Sequence, residues 1–269
     1  MNILDTIVVQ KRMQVEWARA NVSHGALERS PFFKRNCHSM KEALLNPAKY
    51  GIIGEIKRKS PSRGIINHQV SINKISTGYV RAGVSALSIL TDTEFFGGSN
   101  QDLMEARELN ACPILRKDFI IDEYQILEAK SIGADVILLI AAILSPQTMI
   151  HYTQLAHSLG LEVLLEIHNE EELTRNLNSG ADLMGVNNRD LKTFEVNVET
   201  SKKLIQHIPV QMIAVSESGI EATSTLLDLK RSGYKGFLIG QNFMQNHDPE
   251  VAAMNFINEL KGIELGTHA

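Results

Sequence analysis

Residues 133–142 read GADVILLIAA, and the apolar run continues to Leu144, nine residues from Val136. Nine residues are too few to cross a bilayer, which takes about 20. A short apolar run behind a glycine instead fits a strand buried on both faces. The same pattern recurs as GVSALSILTD from Gly83, GADLMGVN from Gly180 and GYKGFLIG from Gly233. The four glycines lie 50, 47 and 53 residues apart, by subtraction of their numbers. Each closes a helix-like stretch, where glycine serves as a left-handed C-terminal cap. Four more apolar runs fall between them: GIIGEIK near 54, CPILRKD near 114, LEVLLEI near 164 and VQMIAVSES near 214. Helical patterns such as QDLMEARELN, SPQTMIHYTQLAHSL and EATSTLLDLKRS follow the strands. Strand and helix alternating eight times predict a (β/α)8 TIM barrel over residues 49–269. A doubly wound open sheet is the alternative, but no GxGxxG turn follows the first strand.

Residues 1–48 stand outside the repeat. ILDTIVVQKRMQVEWARA has helical apolar spacing, and SPFFKRN interrupts it at Pro31. We expect an N-terminal helical extension packed on the barrel, as a cap for one end. The competing role is a lid that brings Phe32, Phe33 or Arg35 near a ligand.

Bulk composition narrows the function classes. With 43% hydrophobic residues, the 269-residue chain can bury a large core. Its net charge of −4 lacks the basic footprint of nucleic-acid binding. Cys37 and Cys112 form no CxxC pair and are expected to be free thiols in a reducing compartment. No signal-peptide apolar region opens the chain. A cytoplasmic protein with no membrane and no nucleic-acid partner is the expectation. The end at Ala269 suggests a stand-alone unit. A monomer is expected, with weak homo-oligomerisation as the alternative.

Barrels of this kind place their chemistry at the C-terminal ends of the strands. Read in order, those ends carry Glu55 and Lys57, Asp92, Lys117, the apolar Leu139 and Ile140, Glu166, Asn187, Glu217 with Ser218, and Gly240. The charges concentrate on odd strands, whose side chains share layers of the barrel interior. Glu55, Lys57, Lys117, Glu166 and Glu217 therefore converge on one predicted site. One such charge is easily structural; five at corresponding ends would each need a private partner. Carboxylates and lysines crowded together have their pKa values driven apart, which supplies a proton donor and a proton acceptor. No His/Cys cluster accompanies them, so no metal site is expected. His168, the one histidine near the mouth, reads as a solvated loop residue.

A phosphate site is argued separately. SESGIEATS follows the seventh strand and IGQNFMQNHDP the eighth. Loops at those places commonly bind phosphate, and Gly219 and Gly240 permit close backbone approach. The segment EIKRKSPSRG, from Glu55, adds Lys57, hydroxyls at Ser60 and Ser62, and Arg63.

EIKRKSPSRG, SILTDTEFFGGS, ILRKDFIIDEYQI, LLEIHNEEEL, GVNNRDLKTFEVN and VSESGI, occurring in this order, resemble indole-3-glycerol phosphate synthase. The resemblance covers essentially the whole chain. It implies ring closure of 1-(2-carboxyphenylamino)-1-deoxyribulose 5-phosphate, with loss of carbon dioxide and water and with no cofactor and no metal. The family's general acid falls on Lys117 and its general base on Glu166. Lys57 matches a lysine that holds the substrate's carboxylate and phosphate and shares the acid role, and Glu55 orients the lysines. Asn187 and Glu217 match polar contacts to the substrate. Ser60, Ser218, Gly219 and Gly240 match carboxylate or phosphate binding. Phe96, Phe119 and Leu139 are expected to pack on the aromatic ring. One departure stands out. Where the family usually has Ser or Glu and then Ser or Ala after Gly240, this chain has Gln241 and Asn242. Backbone amides or the Gln241 amide are expected to replace a hydroxyl there, at about 1 kcal/mol for a lost hydrogen bond. A phosphosugar isomerase on the same fold, or a non-catalytic barrel that binds a phosphorylated ligand, are the alternatives.

Overall fold

The structure, a computed structural model, describes residues 3–266. Eight parallel strands close into a barrel in chain order: β1 (Ile52–Ile56), β2 (Ala86–Leu90), β3 (Ile114–Lys117), β4 (Val136–Ile140), β5 (Glu162–Ile167), β6 (Leu183–Asn187), β7 (Ile213–Glu217) and β8 (Gly236–Ile239). The ring shuts where Ile52 of β1 pairs with Phe237 of β8. The expected barrel is therefore the observed one.

Local chemistry sets the element boundaries. Gly83, Gly133, Gly180 and Gly233 have φ of 109°, 94°, 77° and 121°, a region costly for any residue with a Cβ. They let the chain leave each helix and turn into the next strand. The helices begin on side-chain caps: Ser71, Ser99, Asp122, Ser145 and Asn169 each accept a hydrogen bond from an amide of the first turn. Asp122, Ser145 and Asn169 follow closely on the ends of β3, β4 and β5, so those loops are anchored at both ends.

Apolar side chains form two shells. Leu87, Ile89, Ile137, Leu139 and Leu165 face outward into the helices. Ile53, Leu115, Leu138, Ile140, Leu164, Val215 and Leu238 fill the barrel interior below the charged layer.

The extension holds both ends of the barrel. Helix α1 (Ile3–Asn21) lies over the C-terminal mouth, where Lys11 Nζ meets Asp92 Oδ2 and Asp118 Oδ1, each at 2.7 Å. Helix α2 (His24–Glu28) packs on helix Glu123–Ser131. Helix α3 (Met40–Leu45) plugs the opposite end, with Met40 and Leu44 inside the inner shell. There Glu162, at the start of β5, accepts from Ser39 Oγ at 2.6 Å and from the Met40 amide at 2.9 Å. Helices α3 and α1 thus lie at opposite ends of the barrel. Arg35 is bound to Gly133, Ala134 and Asp135 at the end away from the mouth, so it does not approach a ligand there, and neither Phe32 nor Phe33 borders the cavity.

Candidate active site

A cavity of about 400 Å³ opens at the C-terminal mouth. Lys117, on β3, stands at its centre. Its Nζ lies 2.7 Å from Glu166 Oε2 on β5 and 2.8 Å from Glu217 Oε2 on β7. On β1, Lys57 Nζ lies 2.6 Å from Glu55 Oε1. The strand register explains the convergence. Ile140 pairs with Glu166 and Asn187 with Glu217, and residues opposite one another in a sheet point to the same side. Two glycines make the room. A Cβ on Gly185 would come within 2.3 Å of Glu217 Oε1, and one on Gly240 within 2.3 Å of Glu55 Oε1.

Charge is distributed unequally among these groups. Burial alone would lower the Lys117 ammonium, but Glu166, Glu217 and Glu55 hold it well above its ordinary value. Burial likewise opposes ionisation of Glu166, and Lys117 and His168 override it, keeping that carboxylate far below the usual range. Glu217 goes the other way. Its own burial, with the Glu166 and Glu55 charges, pushes it up to about 7 against the pull of Lys117. One lysine thus keeps one carboxylate charged and leaves the other close to protonation at neutral pH.

The remaining walls are polar on one side and aromatic on the other. Phe96 and Phe119 stand with ring centroids 5.9 Å apart, packed directly on one another, and both border the cavity. Asn187 Oδ1 accepts from Ser218 Oγ and from the Arg189 amide, both at 3.0 Å. Ser218 and Gly219 adopt φ of 68° and 78°, which turns the chain sharply above β7. Ser60, Gly240 and Gln241 border the same space. The SPSRG run turns a small hairpin in which Lys59–Ser60 pairs with Gly64–Ile65.

Leu139 is a correction. It pairs with Leu165 and faces the helices, while Leu138 and Ile140 border the cavity. His168 is a second correction. Its side chain is only 12% exposed, set between Glu166 Oε1 at 3.4 Å and Glu172 Oε2 at 3.1 Å. Asp92 does not enter the cavity; it caps the turn Thr93–Phe96 and pairs with Lys11. Three residues of α1 that were not foreseen, Ile3, Leu4 and Ile7, roof the cavity. Arg189 was also missed. Burial and the neighbouring Arg63 lower its pKa, and its Nη2 lies 3.4 Å from Gln241 Oε1. Among the described residues, no group of three or more His, Cys, Asp or Glu side chains is placed to hold a metal ion.

Residues 4–256 match the family model described as indole-3-glycerol phosphate synthase. The chain belongs to the indole-3-glycerol phosphate synthase family. A curated indole-3-glycerol phosphate synthase of Bacteroides thetaiotaomicron is 45% identical over 260 residues, covering 97% of this chain and 99% of the relative. One from Acetivibrio thermocellus is 42% identical and covers 90% of this chain and 94% of its own. Among solved structures, a thiamine phosphate pyrophosphorylase from Pyrococcus furiosus superposes with a TM-score of 0.56 at 14% identity, over 78% of this chain and 95% of that one. That likeness speaks for the barrel alone. Family membership and the mouth geometry meet at the same strand ends, and every site residue singled out from the indole-3-glycerol phosphate synthase motifs except Leu139 borders the cavity.

Proposed function

We propose that the mouth cavity performs the reaction of its family, the ring closure of 1-(2-carboxyphenylamino)-1-deoxyribulose 5-phosphate to indole-3-glycerol phosphate. The chain acts as a carboxy-lyase of tryptophan biosynthesis on a phosphorylated small molecule. The observation that carries the assignment of roles is Lys117, held between two carboxylates in the mouth.

The aromatic ring of the substrate packs against the wall of Phe96 and Phe119, with Leu138 and Ile140 beneath it. Lys117 then exchanges its carboxylate partners for the ketone oxygen and protonates it as the ring carbon attacks. A lysine with a strongly raised pKa keeps its proton until an oxygen gains negative charge, which restricts transfer to that moment. Loss of carbon dioxide restores aromaticity. Glu166, freed of Lys117, takes a proton from the methylene carbon beside the nitrogen as the hydroxyl leaves as water, and the ring nitrogen keeps its hydrogen. Lys57, steadied by Glu55, holds the carboxylate and phosphate end and shares the acid role. Asn187, Glu217 and Ser218 contact the carboxylate and hydroxyls. The phosphate rests on Ser60, Gly219, Gly240 and Gln241, with Arg189 and Arg63 supplying the charge. Gln241 thus acts partly by orienting Arg189, which accounts for an amide where the family has a hydroxyl.

Residues 49–269 carry this chemistry, and residues 1–48 serve as an extension that roofs and plugs the barrel. We assign the chain to the cytoplasm, as a monomer. Among the described residues, no helix is long and apolar enough to cross a membrane.

Turnover is followed by the indole fluorescence that appears on ring closure. The wild type is expected to turn over the carboxyphenylamino substrate and to leave phosphoribosylanthranilate unchanged. Lys117→Ala is expected to lower kcat by about 100-fold or more. A folded wild type without indole product overturns the assignment.

A further inference from the structure

The Glu166 carboxylate has a basic group opposite each oxygen, and the buried His168 Nε2 makes no hydrogen bond of its own. Lys117 donates to Oε2 at 2.7 Å, and His168 Nε2 faces Oε1 at 3.4 Å. In the reaction proposed above, Lys117 turns away to the substrate oxygen. A buried carboxylate that loses its one cation rotates freely or takes up a proton too early. His168 does not leave. It lies outside the substrate cavity, on the wall of a second cavity of about 400 Å³.

The orientation of its ring is built into the sequence HNEEE that follows β5. Asn169 caps helix Glu170–Asn176 by accepting from the Glu172 amide at 2.9 Å. Glu172 reaches back, in the manner of a capping box, so that its Oε2 accepts from the His168 amide at 2.8 Å. The same oxygen lies 3.1 Å from His168 Nδ1. With Nδ1 fixed by Glu172, Nε2 is aimed at Glu166.

We propose that His168 is a positioning residue, holding Oε1 of Glu166 through Nε2 so that Oε2 takes the substrate proton once Lys117 has turned away. The proposal rests on the base role given to Glu166. In this step the C–H bond of the methylene carbon beside the nitrogen breaks and its electron pair forms the ring double bond, the hydroxyl leaves as water with a proton from Lys57, and an O–H bond forms at Glu166 Oε2, while His168 keeps both ring protons throughout. The groups that face the ring are Glu166 on β5, Glu172 on the following helix and Asp190 in the loop after β6. Lys117 and Arg175 act on it through the two glutamates. Burial opposes the imidazolium, but Glu166 and Glu172 raise it to about 10, so it stays a cation where the enzyme works.

Two measurements test this role. The first is the His168 imidazole signal, followed by NMR across pH in the full-length wild type and independent of turnover. It is expected not to titrate between about pH 6 and 8; titration near the ordinary histidine value of about 6.5 overturns the proposal. The second is the pH profile of kcat for His168→Asn. Loss of the cation lets Glu166 protonate more readily, so the acid limb moves to higher pH. At its optimum, kcat is expected to fall about tenfold or more, with KM within about twofold. Glu172→Gln, which keeps the reach of the side chain without its charge, is expected to move the limb the same way by less. Should His168→Asn not fold, Glu172→Gln decides the second test. A wild-type profile in the folded variant overturns the positioning role alone. A wild type with no turnover overturns the functional reading, and the base role of Glu166 with it, while the NMR titration is still read.

Discussion

Lys11 Nζ lies 2.7 Å from Asp118 Oδ1, which ties a helix outside the barrel to the residue directly after Lys117. The same ammonium reaches Asp92, and the lysine is 4% exposed. Asp118 Oδ1 also accepts from the Phe119 amide, and Asp92 accepts from the Phe95 amide. One buried cation therefore fixes the two loops that carry Phe96 and Phe119. Lys11→Met leaves two buried aspartates without it. We expect a loss of about 3–5 kcal/mol in chemical denaturation and a higher KM. A KM equal to that of the wild type would show that the two loops hold their place unaided.

Glu217 carries a stability cost that depends on pH. Its folded pKa, about 7, lies above its ordinary 4.5. The folded state therefore binds more protons between those values. The stability this group contributes is present below about pH 4.5 and is lost as pH rises through about 7. Glu217→Gln should stabilise the chain at pH 8 by about 1–3 kcal/mol and change little at pH 5. Thermal unfolding at the two pH values checks this, and equal shifts at both would contradict it.

Gly185→Ala and Gly240→Ala place a methyl 2.3 Å from Glu217 Oε1 and Glu55 Oε1 respectively. The carboxylate must move, and displacement of about 1 Å in a catalytic group costs about 100-fold. Both variants should lose kcat by that order while circular dichroism stays that of the wild type. Retained activity would mean that these carboxylates tolerate another position.

Leu138 and Leu139 are adjacent in sequence and opposite in role. Leu139→Ala hollows the helix-facing shell and should cost about 2–5 kcal/mol with KM unchanged. Leu138→Ala, on the cavity wall, should raise KM as well. Identical KM values for the two would remove Leu138 from the binding surface.

The errors of sequence reading have physical sources. β4 is apolar on both faces, VILLI, so no alternation marks its inward side. The clue lay across the sheet, in the pairing of Ile140 with the charged Glu166. Strands ending in Lys117, Glu166 or Glu217 carried that polarity themselves, which is why they were legible. His168 looked exposed because it follows a strand end, yet a glutamate four residues on, at Glu172, was available to bind it. Arg189 sat within a quoted motif, but only the folded loop brings it to Gln241, 52 positions away. Lys11 shares a helical face with Ile7 and Val15, and a charge on an apolar stripe was the overlooked sign of a buried partner.

The pairing of Ile52 with Phe237 gives the ring a consequence for synthesis on the ribosome. Translation delivers α1 and α3 first, before Asp118, Leu164 or Val215 exist to receive them. The seal between β1 and β8 must wait until every other strand of the barrel has been made. Ring closure, with its large separation along the chain, is the slow kind of contact to form. The pocket comes into being late, because Gly240, Gln241 and Asn242 of its wall follow the strand that closes the ring.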